Sequence, residues 1–172
     1  MITIISASNR EGNLTSFFAS KCQEILNRHK VENRVYYLHD LPDTISLSSV
    51  YNYEDSIFKE LGKELIVPAS KLLFIVPEYN GSIPGILKLF IDAIEPSVYK
   101  GKKAALIGVA AGRAGNLRGM DHLTDILHHL EVNVMPQKLP ISQLFGLLKE
   151  EEVVDESTLN LLEKQLQLLS EF

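Results

Sequence analysis

The chain has 172 residues, of which 45% are apolar and 23% charged, and it carries a formal net charge of −5. That length suits one domain of about 100–200 residues with a core of its own, and the acidic balance excludes nonspecific nucleic-acid binding, which needs clustered Lys and Arg. A single cysteine, Cys22, excludes an internal disulfide framework, and no segment reaches the run of about 18 apolar residues that a bilayer span needs, so a reducing, cytoplasmic setting away from the membrane is expected.

The N-terminal MITIISASNR lacks a basic start, a long apolar stretch and a small-residue cleavage site, so it reads as a first core strand and not as a signal peptide. Residues 2–7 (ITIISA) form a strand buried on both faces. After the loop SNREGN, Leu14, Phe17, Phe18, Cys22, Ile25 and Leu26 recur at helical spacing and predict an amphipathic helix of about four turns. Val35 to Leu38 make a second strand, closed by Asp40-Leu41-Pro42. Residues 43–56 are polar and mixed and take no assignment. A helix is expected over about 54–66, where Ile57, Leu61, Leu65 and Ile66 share a face. Lys71–Val76 is a third strand, followed by a helix from Pro84 to Ile94; Ala104–Ala110 is a fourth strand, followed by a helix marked by Met120, Leu123, Leu127 and Leu130. Val132–Met135 starts a fifth strand, the run Glu150-Glu151-Glu152 is a solvated loop or helix start, and the leucine-rich segment 158–169 closes the chain as a helix. Strands alternating with helices indicate a parallel sheet with right-handed crossovers and helices on both faces. With no internal repeat or linker, residues 1–172 read as a single domain.

In such a sheet ligands bind outside the carboxyl ends of the strands, which singles out three loops. The first, Ser6 to Thr15, leads from a strand into a helix N-terminus, where free N–H groups and the macrodipole favour an anion. Ser8, Arg10, Asn13 and Thr15 add donors suited to a phosphate; the same residues also suit a plain helix cap. The loop spells neither G-x-G-x-x-G nor a P-loop, which weighs against a dinucleotide site here and against an NTPase. The second, Pro77-Glu78-Tyr79-Asn80-Gly81-Ser82-Ile83-Pro84-Gly85, contains the Asn-Gly of a hairpin, but the helical run after it makes that signal misleading. Ser82 is placed to cap the helix and Pro84 to sit in its first turn, and two prolines with two glycines fix a rigid path fit to wall a flat heterocycle or simply to turn the chain. The third, Ala110 to Gly119, carries Gly112 and Gly115 beside Arg113, Asn116 and Arg118, and allows close approach to a ring; read alone it is equally a flexible loop with two solvated arginines.

Together these loops resemble the NADPH-dependent FMN reductase family, with its quinone, azo-dye and chromate reductase relatives. The family's Pro-Glu-Tyr-Asn-Gly-Ser-x-Pro-Gly-x-Leu-Lys signature is matched at every specified position by Pro77 to Lys88, with Asp92 at the family's following aspartate. Its first loop, roughly Gly-Ser-x-Arg-x-x-Ser-x-Asn, appears as Ala7 to Thr15, with Ala7 for glycine and with Asn13 and Thr15 for serine and asparagine; hydrogen-bonding capacity survives. The glycine-rich third loop is similar from Gly112 to Arg118, more loosely, and Ala110 and Ala111 stand where relatives often carry serine. The likeness spans about residues 1–135.

The resemblance implies a flavodoxin-like three-layer sandwich whose five parallel strands run in the order 2-1-3-4-5. It implies FMN as cofactor, NADPH or NADH as co-substrate, a small-molecule electron acceptor such as a quinone or free flavin, and a homodimer or homotetramer. Ser8, Arg10, Asn13, Leu14 (through its N–H) and Thr15 would hold the FMN phosphate; Pro77, Glu78, Tyr79, Asn80 and Gly81 would line the isoalloxazine, with Gly112, Arg113, Gly115 and Asn116 closing its other side. Hydride would pass from NAD(P)H to flavin N5 and then electrons to the acceptor. The cofactor carries that chemistry, so no catalytic side chain is nominated. Backbone N–H groups near 112–116 are expected to face flavin N1, and Arg113 or Arg118 is a candidate for the 2′-phosphate of NADPH. Adjacent His128 and His129 point in different directions, His122 and His129 share a face without a third ligand, and no metal is expected; Cys22 reads as a core residue. Two other readings stand beside this one: a flavodoxin-type electron carrier that does not oxidise NAD(P)H, and a non-enzymatic flavin-binding relative.

Overall fold

In the computed structural model, which describes residues 1–43, 45, 50 and 57–172, the apolar runs become strands and the amphipathic stretches helices. The order is β1 (Ile2–Ser6), α1 (Thr15–Arg28), β2 (Asn33–Tyr37), α2 (Ile57–Leu61), β3 (Lys71–Pro77), α3 (Gly85–Ala93), β4 (Lys103–Val109) and α4 (Leu117–His129). After these come β5 (Asn133–Val134), β6 (Leu139–Ile141), β7 (Leu148–Lys149), β8 (Glu152–Val153) and α5 (Glu156–Glu171). The segment without assignment, and the start of the helix expected over about 54–66, fall largely outside the described residues. From Ile57 the chain forms α2, which runs into a π-helical turn, Gly62–Ile66, where the Val67 N–H donates to the Gly62 carbonyl at 2.9 Å. The buried Thr3 hydroxyl donates to the Leu65 carbonyl at 2.7 Å, which gives that widened turn a partner in β1.

The sheet order is β2-β1-β3-β4-β5, with β6 also on β4 and every pairing in this sheet parallel. This is the flavodoxin-like arrangement that the family resemblance implied. The fifth strand differs in one respect: it is split. Val134 pairs with Ala104 and Leu139 with Ile107, so five steps along the edge match three along β4. Pro136, which has no N–H to give the ladder, stands in the surplus segment. The glutamate run is also more ordered than a bare loop. Glu150 and Glu151, at φ 48° and 68°, form the tight turn of the β7–β8 antiparallel hairpin.

Each central strand feeds two cores, because successive side chains point to opposite faces. Leu72, Phe74 and Val76 of β3 pack with Phe58, Phe90, Leu123 and Leu127 of α2, α3 and α4. Leu73 and Ile75 pack with Phe18, Cys22, Leu162 and Leu166 of α1 and α5. Cys22 is fully buried, and burial pushes its thiol pKa up to about 12. Among the described residues no helix is long and apolar enough to cross a membrane.

The chain leaving β4 doubles back over its own strand. A Cβ on Gly108 would stand 2.3 Å from the Gly115 carbonyl oxygen, and one on Gly115 would stand 2.7 Å from Pro140 Cβ. Both glycines are therefore packing requirements, and Gly115 also needs its φ of 57°.

Gly108→Ala should destabilise the fold by about 1–3 kcal/mol through overpacking, read as a fall in thermal midpoint with the secondary structure retained. Cys22 should resist alkylation at pH 8 in the folded chain and react once the chain is unfolded. Its raised pKa means the unfolded chain releases the thiol proton first, so the stability associated with Cys22 is present below its ordinary pKa and declines as pH rises from there toward about 12. In denaturant midpoint, the advantage of wild type over Cys22→Ala should shrink as pH rises across that range.

Candidate active site

Register brings the ligand-facing loops to one edge of the sheet. Ser6 pairs with Ile75, Ile75 with Ile107, Pro77 with Val109 and Val109 with Ile141, so the chains leaving β1, β3, β4 and β6 all emerge on the same side. Between them lies a cleft of about 370 Å³, lined by Arg10 to Thr15, Pro77 to Tyr79, Val109 to Ala111, and Leu144 with Phe145. That volume is in the range of small-molecule and cofactor sites.

The first loop is built to hold its backbone still. Asn13 Oδ1 accepts from the Ser16 N–H at 3.1 Å, Ser16 Oγ donates to the Asn13 carbonyl at 2.7 Å, and Asn13 Nδ2 donates to the Arg10 carbonyl at 2.8 Å. Asn13 therefore caps α1 from just outside it, leaving the amides of Leu14 and Thr15 without intrahelical partners at the cleft wall. Its Nδ2 also lies 3.4 Å from His39 Nδ1. Arg10 is exposed, with its guanidinium 5.9 Å from the centre of the Tyr79 ring.

Ser8 has a different place from the one expected. It is fully buried, its Oγ accepts from the Arg10 N–H at 3.3 Å, and its hydroxyl pairs with Tyr79 Oη at 2.7 Å. The hydroxyl ties the first loop to the second from beneath.

The second loop corrects the view that its Asn-Gly signal is misleading. Tyr79 and Ser82 exchange both backbone hydrogen bonds at 3.0 Å around Asn80 (φ 51°) and Gly81 (φ 75°), a miniature hairpin turn of the kind this pair favours. Ser82 does not cap α3: its Oγ lies 2.8 Å from His122 Nδ1 of α4, and Pro84 itself occupies the N-cap position. The Arg118 guanidinium lies against Gly81, where a Cβ would come within 2.7 Å of Nη1.

In the third loop the buried Asn116 is spent internally. At φ 63° it caps α4 by accepting from the Gly119 N–H at 3.2 Å, and its Nδ2 donates to the Val76 carbonyl of β3 at 2.9 Å. Gly112 and Arg113 stand in the open beyond the cleft lining.

Of the residues singled out in the sequence, Arg10, Asn13, Leu14, Thr15, Pro77, Glu78 and Tyr79 therefore meet in the cleft. Ser8 lies below it; Asn80, Gly81, Gly112, Arg113, Gly115 and Asn116 are not among its lining residues. The fourth contributor, Leu144 and Phe145 after β6, was not foreseen. Its sequence signal is an apolar pair directly after a strand's carboxyl end, in ISQLFGLL. Anion-binding amides and a guanidinium at one end, and apolar or planar walls from Pro77, Tyr79, Val109, Ala110 and Ala111, fit a ligand with a phosphate tail and a flat ring.

Residues 1–145 match the family model for NADPH-dependent FMN reductase. The chain is 37% identical over 112 residues to the NAD(P)H-dependent FMN reductase PA1204 of Pseudomonas aeruginosa, covering 62% of this chain and 60% of that protein. It is 39% identical over 90 residues to a 2-hydroxy-1,4-benzoquinone reductase of a Burkholderia species, covering 48% and 49%. These matches thus span about half to three fifths of the relatives' length. In fold it is similar to FerB, a flavoenzyme NAD(P)H:(acceptor) oxidoreductase from Paracoccus denitrificans, with a TM-score of 0.79 at 23% identity over 99% of this chain and 94% of that one. A cleft with helix N-terminal amides and Arg10 at one end and planar walls, at the carboxyl edge of a 2-1-3-4-5 sheet, and a family match over residues 1–145 agree: the chain belongs to the NADPH-dependent FMN reductase family.

Proposed function

We propose that this protein is an FMN-dependent NAD(P)H oxidoreductase acting on a small acceptor such as a quinone or free flavin. The observation that carries the reading is the convergence, in one cleft, of the α1 N-terminus with Arg10 and the walls Pro77, Tyr79, Ala110 and Ala111. FMN, held by these residues, would supply the redox chemistry between NAD(P)H and the acceptor.

The chain's own residues bind and orient. The Leu14 and Thr15 amides and the Arg10 guanidinium neutralise the phosphate, and a dianion there also gains from the helix macrodipole. Asn13 keeps those amides aimed by holding both the Arg10 carbonyl and the Ser16 N–H. Tyr79, fixed through its hydroxyl to Ser8, presents a ring wall that does not need to reorganise when a ligand arrives. The 112–116 loop, which continues from the lining residues Ala110 and Ala111, would offer N–H donors to the polar edge of the ring system, where negative charge develops on reduction. Arg113, exposed two residues beyond the lining residue Ala111, takes the 2′-phosphate of NADPH. Arg118 is assigned instead to the Gly81 turn it covers. The protein works in the cytoplasm as a homodimer or homotetramer.

The purified chain with FMN should show a bound-flavin absorption spectrum, bleach on anaerobic addition of NADPH or NADH, and recover its colour on addition of a quinone. Bleaching by dithionite but not by either nicotinamide would make it an electron carrier, and no yellow colour after FMN addition and desalting would favour a degenerate, non-enzymatic member. Arg10→Ala should weaken FMN binding by about tenfold to a hundredfold, the worth of a charge-assisted phosphate contact, measured by flavin fluorescence. Arg113→Ala should raise KM for NADPH about tenfold and leave KM for NADH unchanged; an equal change in both would remove its discriminating role.

A further inference from the structure

We propose that Phe145 is an aromatic lip that closes over the planar ring of the bound flavin, an inference that rests on the functional reading above. Phe145 is 70% exposed, against 41% to 51% for the other five large apolar residues left exposed among the described residues. An aromatic ring held in water at the wall of a cleft lacks the burial that normally stabilises it.

The backbone beneath it is not loose. Gln143, at φ 53°, starts a 3₁₀ turn over Leu144–Leu147, and its N–H donates to the Gly112 carbonyl at 3.1 Å. The Leu144 N–H donates to the Ala110 carbonyl at 3.3 Å, while the Leu144 side chain is buried with the α1 and α5 core. The Gly146 N–H closes the turn on the Gln143 carbonyl at 3.1 Å. Two hydrogen bonds thus bolt the Phe145 turn to the third loop, and one side chain roots it in the core. The phenyl ring, by contrast, is left largely exposed.

The position is specific to the cleft. Phe145 and Tyr79 are the two aromatic residues among those lining it, carried by the chains after β6 and β3. Tyr79 is locked by Ser8 and flanked by Arg10; Phe145 is free to adjust its side-chain angles. One fixed and one adjustable aromatic wall suit a flat, electron-poor ring, which gains both apolar burial and stacking from such a neighbour.

The test is FMN titration of flavin-stripped full-length protein, followed by loss of free-flavin fluorescence, for wild type, Phe145→Ala, Phe145→Leu and Phe145→Trp. Phe145→Ala should raise the FMN Kd about tenfold and Phe145→Leu by less, while Phe145→Trp stays within about twofold of wild type. Because the side chain is exposed, thermal midpoint and sedimentation should be unchanged in all three. Wild-type affinity in Phe145→Ala would overturn the proposal, as would a loss of affinity that tracks dissociation of an oligomer, which would assign the ring to a second copy of the chain. Equal weakening in the tryptophan variant would also overturn it. A wild-type chain that takes up no FMN would instead sink the functional reading on which the proposal stands, and that outcome is visible before any variant is compared.

Discussion

The structure depends on the parallel register between β3 and β4, seven residue pairs from Lys71–Lys103 to Pro77–Val109. Apart from the leading lysines both strands are buried along their length, so neither face can slip toward solvent without taking apolar side chains with it. That register sets where Glu78 and Ala110 leave the sheet. The Glu78 N–H continues the ladder to the Val109 carbonyl at 3.2 Å, and the Ala110 N–H donates to the Ile141 carbonyl at 3.0 Å. The ladder thus runs right up to the cleft. Ala7 does the same from β1, donating to the Ile75 carbonyl at 2.9 Å. The cleft is the place where backbone pairing ends, and the loops around it inherit the sheet's precision.

A net charge of −5 is compatible with the proposed phosphate site because the attraction there is local. Amide dipoles and Arg10 act within a few ångströms, whereas the surplus carboxylates are spread over a surface screened beyond about 8 Å. Glu11 also lines the cleft, so the site is not uniformly positive. Its positive character comes from aligned N–H groups more than from counted side chains.

The parallel sheet was legible because both-face burial leaves continuous apolar runs, such as LLFIV in β3 and AALI in β4, whereas its strand order followed from the family resemblance. The helices announced themselves through the spacing of Phe18, Cys22, Ile25 and Leu26, and of Met120, Leu123 and Leu127. What escaped was decided by tertiary partners. Ser8 looks like a phosphate donor in a linear reading, which does not show that its hydroxyl is buried and paired with Tyr79 Oη. Asn80-Gly81 looked unsuited to a hairpin because a helix comes next, yet two positive φ angles and a pair of backbone bonds make the turn complete before α3 begins. The split of the fifth strand stems from Pro136, visible in the sequence, and from a register offset that is not. Phe145 was not legible because an apolar pair in a linker usually packs, and here Leu144 does so while Phe145 stays exposed.

Asn116 shows what such tertiary decisions do for recognition. It holds a left-handed backbone with no glycine to ease it, and both ends of its amide are engaged, one on Gly119 and one on the Val76 carbonyl. The α4 N-terminus is thereby welded to the neighbouring strand, and its conformational freedom is surrendered when the chain folds. A guest entering the cleft meets a scaffold already immobilised, so little of its interaction energy is diverted into ordering the host. Selectivity in this part of the molecule is consequently a matter of shape fixed in advance, with adaptation left to the rim.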